Sequence, residues 1–246
     1  MENCLAVNNH RNGNNINEYY LESMVKLLAG HEFRTPLNGI VGFAELLCDN
    51  RMNVTTEEQT EYLKHILVST KRLNNLSDRL RIWFTLRQRN IISSKTCFIE
   101  RDWVETILLN QASKELAHSD LFRFSPHGNC WVVNGELNLI KHILDELVSN
   151  AFKFSNKESI VSISIEETKS TVEFTITNKT NYATAEMMEE YIAFKQFERA
   201  KMEQQGLGIG IEIAKLSLEK CGGYLTFSNR FIENGNLLTA KAIFRK

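Results

Sequence analysis

Residues 31–43 of the chain read His-Glu-Phe-Arg-Thr-Pro-Leu-Asn-Gly-Ile-Val-Gly-Phe, and this stretch indicates a helix that carries a reactive site. A histidine stands beside a carboxylate, a threonine follows one helical turn later, and a proline comes next. Residues four apart share a helix face, so His31 and Thr35 are expected to be neighbours. Pro36 lacks the N–H that would bond the carbonyl of Glu32, which predicts a bend beside the site.

The residues around His31 favour a role as a nucleophile. Imidazole attacks well at neutral pH, and phosphoryl transfer requires mainly positioning and charge stabilisation. Glu32 can hold one ring N–H and leave the other nitrogen free, while the Thr35 hydroxyl can orient a water molecule. The remaining histidines lack such neighbours and are assigned ordinary surface or core roles: His10, His65, His118, His127 and His142.

The sequence on both sides of this stretch has the periodicity of two amphipathic helices. Apolar residues recur at helical spacing over residues 17–49, and Thr55-x-x-Glu58 is a capping box that predicts the start of a second helix. The second helix contains a heptad-like seam of Leu63, Ile66, Thr70, Leu73, Ser77, Leu80 and Phe84. Two helices alone cannot bury both seams, which favours a four-helix bundle formed with a second copy. The alternative is a hairpin that packs against its own C-terminal domain.

The sequence after residue 95 mixes helices and strands without a βαβ rhythm. Helices are predicted over residues 102–117, 136–154 and 206–220. Strands are predicted at 130–133, around 161–165 and 172–176, where apolar and polar residues alternate, and in a final hairpin of 224–228 with 237–244. The predicted fold class is therefore α+β with two domains, a helical hairpin over 17–90 and a two-layer α/β sandwich over 95–246. Residues 1–16 are rich in asparagine and are expected to be a disordered tail.

Two groups of residues in the second domain are spaced so that their members lie close together, and one of them has the character of a phosphate site. Glu146, Asn150 and Lys153 are spaced to share one face of a helix. Gly206, Gly208 and Gly210 stand at the start of another helix. Free backbone N–H groups at a helix start favour phosphate, and glycine lets the backbone approach it closely.

The composition excludes several classes of protein. The formal net charge of −1 gives no general attraction to nucleic acid or to an anionic membrane surface. No run of apolar residues is long enough to insert into a membrane, and the N-terminus does not have the pattern of a secretion signal. The five cysteines form no Cys-x-x-Cys pair, which favours reduced thiols and a cytoplasmic location.

Three blocks together carry a resemblance to a known family. They are residues 31–43, Glu-Leu-Val-Ser-Asn-Ala-Phe-Lys-Phe-Ser at 146–155 and Gln-Gln-Gly-Leu-Gly-Ile-Gly-Ile at 204–211, in that order. The chain resembles the sensor histidine kinases of bacterial two-component signalling. The resemblance implies a homodimeric phosphoacceptor bundle followed by a Bergerat-type ATP-binding sandwich.

The resemblance also implies roles for individual residues. His31 would be phosphorylated from ATP and would pass the phosphoryl group to an aspartate of a response-regulator receiver domain, and Thr35 would serve the reverse reaction. Asn150 would bind Mg²⁺, and Lys153 would reach toward phosphate. Glu146 stands where many relatives have asparagine, and it would serve as a second metal ligand or as a base. Gly206, Gly208 and Gly210 would contact the nucleotide below a lid formed by residues 179–205.

One block departs from the family pattern. Where the family has Asp-x-Gly-x-Gly, this chain has Asn178-Lys-Thr-Asn-Tyr182, so the charged acceptor for the adenine amino group is lost. A charge-assisted hydrogen bond contributes about 1.5–3 kcal/mol, which predicts ATP binding that is weaker by roughly ten- to a hundredfold. If the backbone needs positive φ at Thr180 and Tyr182, each residue would add about 1–2 kcal/mol of strain.

The departure leaves two interpretations open. The first is an active histidine kinase. The second is a pseudokinase with weak ATP binding, which would act as a phosphotransfer relay or phosphatase through His31 and Thr35, or as a dimeric signalling scaffold. A third interpretation, another ATPase of the same superfold, is disfavoured because those ATPases lack the His31 block.

Overall fold

The computed structural model describes residues 31–49, 53–88, 92–93, 95–115, 122–156, 159–181, 183–189, 208–233 and 235–246. The predicted tail, the first part of the first helix and most of the predicted lid lie outside the described residues. The described chain forms two compact units, and the boundary between them falls after Ile82. The second unit includes the chain from Trp83 onward to Glu189 and then residues 210–246.

The first unit contains the two predicted helices, α1 (His31–Cys48) and α2 (Thr56–Gln88), of which α2 continues past Ile82. The helices approach closely at Gly39, where an added Cβ would lie 3.0 Å from Ser69 Oγ. One turn later, the Phe43 ring stacks on His65 with centroids 4.7 Å apart. A small residue followed by an aromatic residue therefore fixes how α1 lies against α2.

The predicted capping box at the start of α2 is present. The Thr55 N–H donates to Glu58 Oε2 at 2.8 Å, and the Glu58 N–H donates to Thr55 Oγ1 at 3.2 Å. Each side chain thus satisfies a backbone N–H that the first helical turn leaves without a partner. The backbone and side-chain hydrogen bonds from Thr55 also lower the pKa of the Glu58 carboxyl.

The heptad-like seam of α2 is not a single buried stripe. Ile66 and Leu73 are half-buried and Leu80 is buried, but Leu63 remains 57% exposed. Next to it, Leu67 and Val68 are also largely exposed. An apolar surface of α2, made of Leu63, Leu67 and Val68, therefore stays in contact with solvent in the single chain.

The second unit has the predicted two-layer α/β arrangement. Its helices are α3 (Arg101–Glu115), α4 (Leu137–Phe154), α5 (Ala185–Glu189) and α6 (Gly210–Lys220). Its strands are β1 (Thr96–Glu100), β2 (Phe122–Pro126), β3 (Cys130–Asn134), β4 (Val161–Glu167), β5 (Thr171–Thr180), β6 (Tyr224–Ile232) and β7 (Gly235–Arg245).

The main sheet has five strands in the order β2-β4-β5-β7-β6, and β1 and β3 form a separate pair. Only β2 and β4 run parallel in the main sheet. One face of α4 is buried in the hydrophobic core of the second unit. Side chains from the sheet also belong to this core, such as Phe174 and Phe244, whose rings meet edge to face. The strands β1 and β2 were not predicted, and β5 runs four residues beyond the alternating stretch that indicated it.

The glycine pair predicted to end the last helix does so. Gly222 has a φ of +68°, its N–H donates to Glu219 O at 3.0 Å, and the Gly223 N–H donates to Leu218 O at 2.8 Å. This is the Schellman arrangement, in which a left-handed residue lets the last carbonyls accept hydrogen bonds.

The described cysteines are free thiols, as predicted: Cys48, Cys97, Cys130 and Cys221. Burial raises the pKa of Cys221 to about 12. None of the described helices has the length and apolar character that crossing a membrane would require.

The capping box predicts that replacing threonine by alanine has opposite effects on stability at the start of α2 and in its interior. Thr55→Ala removes the hydrogen bonds of the Thr55 hydroxyl, including the one that it accepts from the Glu58 N–H, and should lower the free energy of unfolding by about 1 kcal/mol. Thr60→Ala, one turn inside α2, should be neutral or stabilising by about 0.5 kcal/mol, because alanine has the higher helix propensity. Urea denaturation followed by far-UV circular dichroism measures both, and equal losses of stability would contradict the role of the cap.

Candidate functional site

The first part of the site is the start of α1. His31 is the first described residue of the helix, and its side chain lies outside the described atoms. Thr35 is exposed one turn further along, and Pro36 is buried inside the helix. Thr35 lies four residues after His31 and is exposed, so water can reach its hydroxyl.

The carboxylate beside His31 is held by the second helix. Arg72 Nη2 lies 3.0 Å from Glu32 Oε2, and the side chain of Glu32 is only 6% exposed. A carboxylate accepts up to about four hydrogen bonds, so this pair is compatible with a bond to the His31 ring. The sequence analysis missed Arg72. The sequence feature that could have indicated this residue is the spacing of Ser69, Arg72 and Leu76. This spacing places a charged residue among the side chains of α2 that face inward.

The second part of the site is a cavity in the second unit with about 30 Å³ of free space, enough for one or two water molecules. Its lining comes from α4, α5, α6 and the sheet. Nine of the lining side chains are apolar: Leu147, Ala151, Phe154, Ile176, Met188, Ile211, Phe227, Leu238 and Ala240. The two polar ones are Asn150 and Asn178. A mainly apolar lining with a few polar groups is the usual character of a small-molecule site.

Asn178 occupies a position where the strand pattern calls for an apolar side chain. Val172, Phe174 and Ile176 are buried on one face of β5, and Asn178 continues that face with only 4% exposure. Within the described part of the chain, its Nδ2 has no hydrogen-bond partner. Leaving a buried donor unpaired costs about 1–3 kcal/mol.

The backbone at Thr180 does not have the strain that positive φ would bring. Strand β5 continues through Thr180, which pairs with Asn236 of β7, so its backbone is extended. Thr180 is fully buried, and residues 179 and 180 belong to the sheet instead of to a lid. The register with β7 is the physical reason, because it continues as far as Thr180. Tyr182 lies outside the described residues.

The three site residues predicted on α4 differ in their position relative to the cavity. Asn150 is half-buried and lines the cavity together with Leu147, Ala151 and Phe154 of the same helix. Glu146 is half-buried one turn earlier, and Lys153 is exposed. Neither of these two lines the cavity. Among the described residues, no three histidine, cysteine or acidic side chains are grouped as a metal site.

The glycine block leads into α6. Gly206 lies outside the described residues, and Gly208 has a φ of +60°, a conformation that favours glycine. Gly210 is buried as the first residue of α6, and the next residue, Ile211, lines the cavity. The first turn of α6 thus lies beside the cavity.

The first turn of α6 also carries an ion pair that the sequence did not reveal. Arg87 Nη1 lies 3.1 Å from Glu212 Oε1, with both side chains largely buried. Arg87 also packs over the Trp83 ring, 5.2 Å from its centroid. The pair balances an acidic charge that would otherwise oppose a phosphate at this helix start.

Comparison with known proteins identifies both units. Residues 29–86 match the His Kinase A phospho-acceptor domain, and residues 135–241 match the family of histidine kinase-, DNA gyrase B- and HSP90-like ATPases. The chain is 31% identical over 204 residues to the sensor histidine kinase GacS of Pseudomonas protegens, covering 78% of this chain and 22% of that protein. It is 27% identical over 209 residues to histidine protein kinase 1 of Candida albicans, covering 81% of this chain and 8% of that protein.

Solved structures share the fold. The histidine kinase ThkA in complex with the response regulator TrrA matches with a TM-score of 0.62 and 19% identity, over 97% of this chain and 66% of that one. The Acinetobacter baumannii histidine kinase AdeS matches with a TM-score of 0.61 and 15% identity, over 88% of this chain and 98% of that one. The curated relatives are much longer, since the chain spans about a fifth of GacS.

The pair between Glu32 and Arg72 predicts that replacing Arg72 lowers stability more than replacing Arg81 on the same helix. Arg72→Met leaves a buried carboxylate without its cation and should lower the free energy of unfolding by about 1–3 kcal/mol. Arg81→Met alters an ion pair with Asp78 whose side chains are 73% and 64% exposed, and it should change stability by less than about 0.5 kcal/mol. Urea denaturation tests both variants, and equal stabilities would show that Arg72 does not hold Glu32.

Proposed function

The chain belongs to the sensor histidine kinases, and we propose that it is the catalytic core of such a kinase, which phosphorylates His31 from ATP and passes the phosphoryl group to an aspartate of a response-regulator receiver domain. The observation that carries the proposal is the presence in one chain of the His31 block on a helical hairpin and of an apolar, amide-bearing cavity in an ATPase fold. ThkA, which shares the fold, forms a complex with a response regulator, which supports the choice of partner.

The proposed chemistry assigns a role to each residue near His31. A ring nitrogen of His31 attacks the γ-phosphorus, the bond from phosphorus to the bridging oxygen breaks, and ADP leaves with that oxygen. Glu32 holds the other ring nitrogen and keeps the attacking lone pair directed outward. Arg72 keeps the Glu32 carboxylate in place through the 3.0 Å pair. Thr35 orients the water that hydrolyses the phosphorylated regulator in the reverse direction.

The nucleotide contacts are assigned to the second unit. Asn150 is the proposed Mg²⁺ ligand at the cavity, with Glu146 one turn away as a second ligand. Magnesium usually takes few protein ligands and completes its shell with phosphate and water, so two side chains suffice. Lys153 and the N–H groups near Gly206, Gly208 and Gly210 would bind phosphate, and Asn178 would bind the base.

The kinase is the preferred interpretation over a pseudokinase. The amide of Asn178 still presents an acceptor oxygen to the adenine amino group, although the charge is gone. Thr180 carries no strain from positive φ, so its share of the predicted weakening of ATP binding falls away, while the charge term of about 1.5–3 kcal/mol remains. A weak affinity at this level is compatible with phosphorylation at cellular concentrations of ATP.

We further propose a cytoplasmic homodimer formed through residues 17–90. The apolar surface of Leu63, Leu67 and Val68 on α2 is exposed in the single chain, and a second copy would cover it. With a net charge of −1, the chain has no general attraction to nucleic acid or to a membrane surface.

The identity of the phosphorylated residue can be tested with two histidines of the same hairpin. His31→Gln should abolish acid-labile labelling from ATP and from a phosphorylated regulator. His65→Gln changes a histidine that stacks on Phe43, and it should leave at least about half of the labelling rate, because a loss of 0.4 kcal/mol is a factor of about two. Radiolabelling with acid and base stability assays gives the measurement, and label that survives in His31→Gln refutes the assignment.

The dimer can be tested with two leucines of similar exposure. Light scattering of the unaltered chain should give twice 28.4 kDa. Leu67→Glu places a charge on the exposed surface of α2 and should yield monomers at micromolar concentration. Leu109→Glu alters an exposed leucine of α3 and should leave the dimer intact. A monomeric unaltered chain would contradict the proposal.

A further inference from the structure

We propose that Arg87 is a positioning residue for phosphate binding, because it neutralises the Glu212 carboxylate at the start of α6. The inference rests on the proposed function, since it assumes that nucleotide phosphates bind near Gly206, Gly208 and Gly210. It adds to that function a residue of α2, which lies 125 positions before its partner in the sequence.

Glu212 stands where its charge would oppose a phosphate group. It is the third residue of α6, which begins at Gly210, and its side chain is only 15% exposed. The first turn of a helix leaves backbone N–H groups without helical partners and carries a partial positive charge, which attracts anions. A carboxylate in that turn competes for the same positive potential. Because little of this side chain meets water, solvent screens its charge less than it screens the charge of an exposed residue.

Arg87 supplies the compensating charge from the end of α2. Its Nη1 lies 3.1 Å from Glu212 Oε1, and its side chain is 27% exposed. The guanidinium also lies over the Trp83 ring, 5.2 Å from the centroid, and Trp83 is 2% exposed. A buried indole face attracts the cation and restricts where it can move. Trp83 and Arg87 are four residues apart, so one face of α2 carries both groups.

The pair of Arg87 and Glu212 has no net charge, so the partial positive charge of the helix start remains available to a phosphate group. Loss of Arg87 would leave a negative charge in the first turn of α6, and loss of the Glu212 charge would leave a positive one. Lys215 lies one turn further, with its Nζ 3.5 Å from Met188 O, and its charge is the same in either case. Phosphate affinity should therefore follow the sum of the charges of the pair.

A purely structural role of the pair predicts a different result. Removing either partner of a largely buried ion pair destabilises the surrounding structure, because the other charge is left without its counterion. If the pair only held α2 against α6, both single substitutions would weaken nucleotide binding. If the charge of Glu212 opposes phosphate, the two substitutions act in opposite directions.

Isothermal titration calorimetry of the full chain with ATP and Mg²⁺ tests the inference. Arg87→Met should raise the dissociation constant at least about tenfold, whereas Glu212→Gln should lower it at least about twofold. The double variant again has no net charge at the pair, and it should bind within about threefold of the unaltered chain. Arg123→Met removes the same charge from an exposed position on β2, at the opposite edge of the main sheet from β6, and should leave the constant unchanged.

The outcomes separate this inference from the function on which it rests. The inference is wrong, and the kinase assignment stands, if Glu212→Gln does not tighten ATP binding or if the double variant binds as weakly as Arg87→Met. If the unaltered chain binds no ATP at millimolar concentration, the nucleotide site itself is refuted, and the inference with it. The direction of the Glu212→Gln effect is decisive even if Arg87→Met does not fold.

Discussion

The pairing of β5 with β7 is the constraint on which the nucleotide end of the structure depends. Ten residues of β5 pair with β7, from Thr171 opposite Arg245 to Thr180 opposite Asn236. Because side chains alternate along a strand, this register places Ile176 and Asn178 on the buried face. A slip by one residue would turn the amide away from the cavity. The same register keeps the backbone extended as far as Thr180, the first of the two positions where the family pattern has glycine.

The first unit depends on contacts of a different kind. Its two helices are held by small and aromatic residues, Gly39 against Ser69 and Phe43 against His65, and by the buried pair of Glu32 with Arg72. The pair couples the helix that begins at His31 to the helix that carries the exposed apolar surface. A change in the packing of α2 would therefore be transmitted to the carboxylate beside His31.

Much of this architecture could be predicted from local patterns. The capping box of Thr55 and Glu58, the alternation of β4 and β5 and the glycine pair after α6 depend on residues that are close in sequence, so spacing reveals them. Strand β2 was not predicted because its five residues include Pro126. Strand β1 was not predicted because the exposed Phe98 interrupts the alternation of buried apolar and exposed polar residues. The pairs of Glu32 with Arg72 and of Arg87 with Glu212 join residues 40 and 125 positions apart. Such contacts are set by tertiary packing, which one sequence does not display.

The extension of β5 through Thr180 has a consequence for the thermodynamics of binding. A glycine-rich segment retains much conformational entropy when free and loses it when a ligand orders it. Here residues 178 to 180 are already held by hydrogen bonds to β7, so this rim of the cavity has little entropy left to lose. The enthalpy lost with the carboxylate is thus partly offset by a smaller entropic cost of ordering. Affinity in this chain would come from a rigid, preorganised sheet edge, and its binding should be less sensitive to temperature than that of a site closed by a mobile glycine loop.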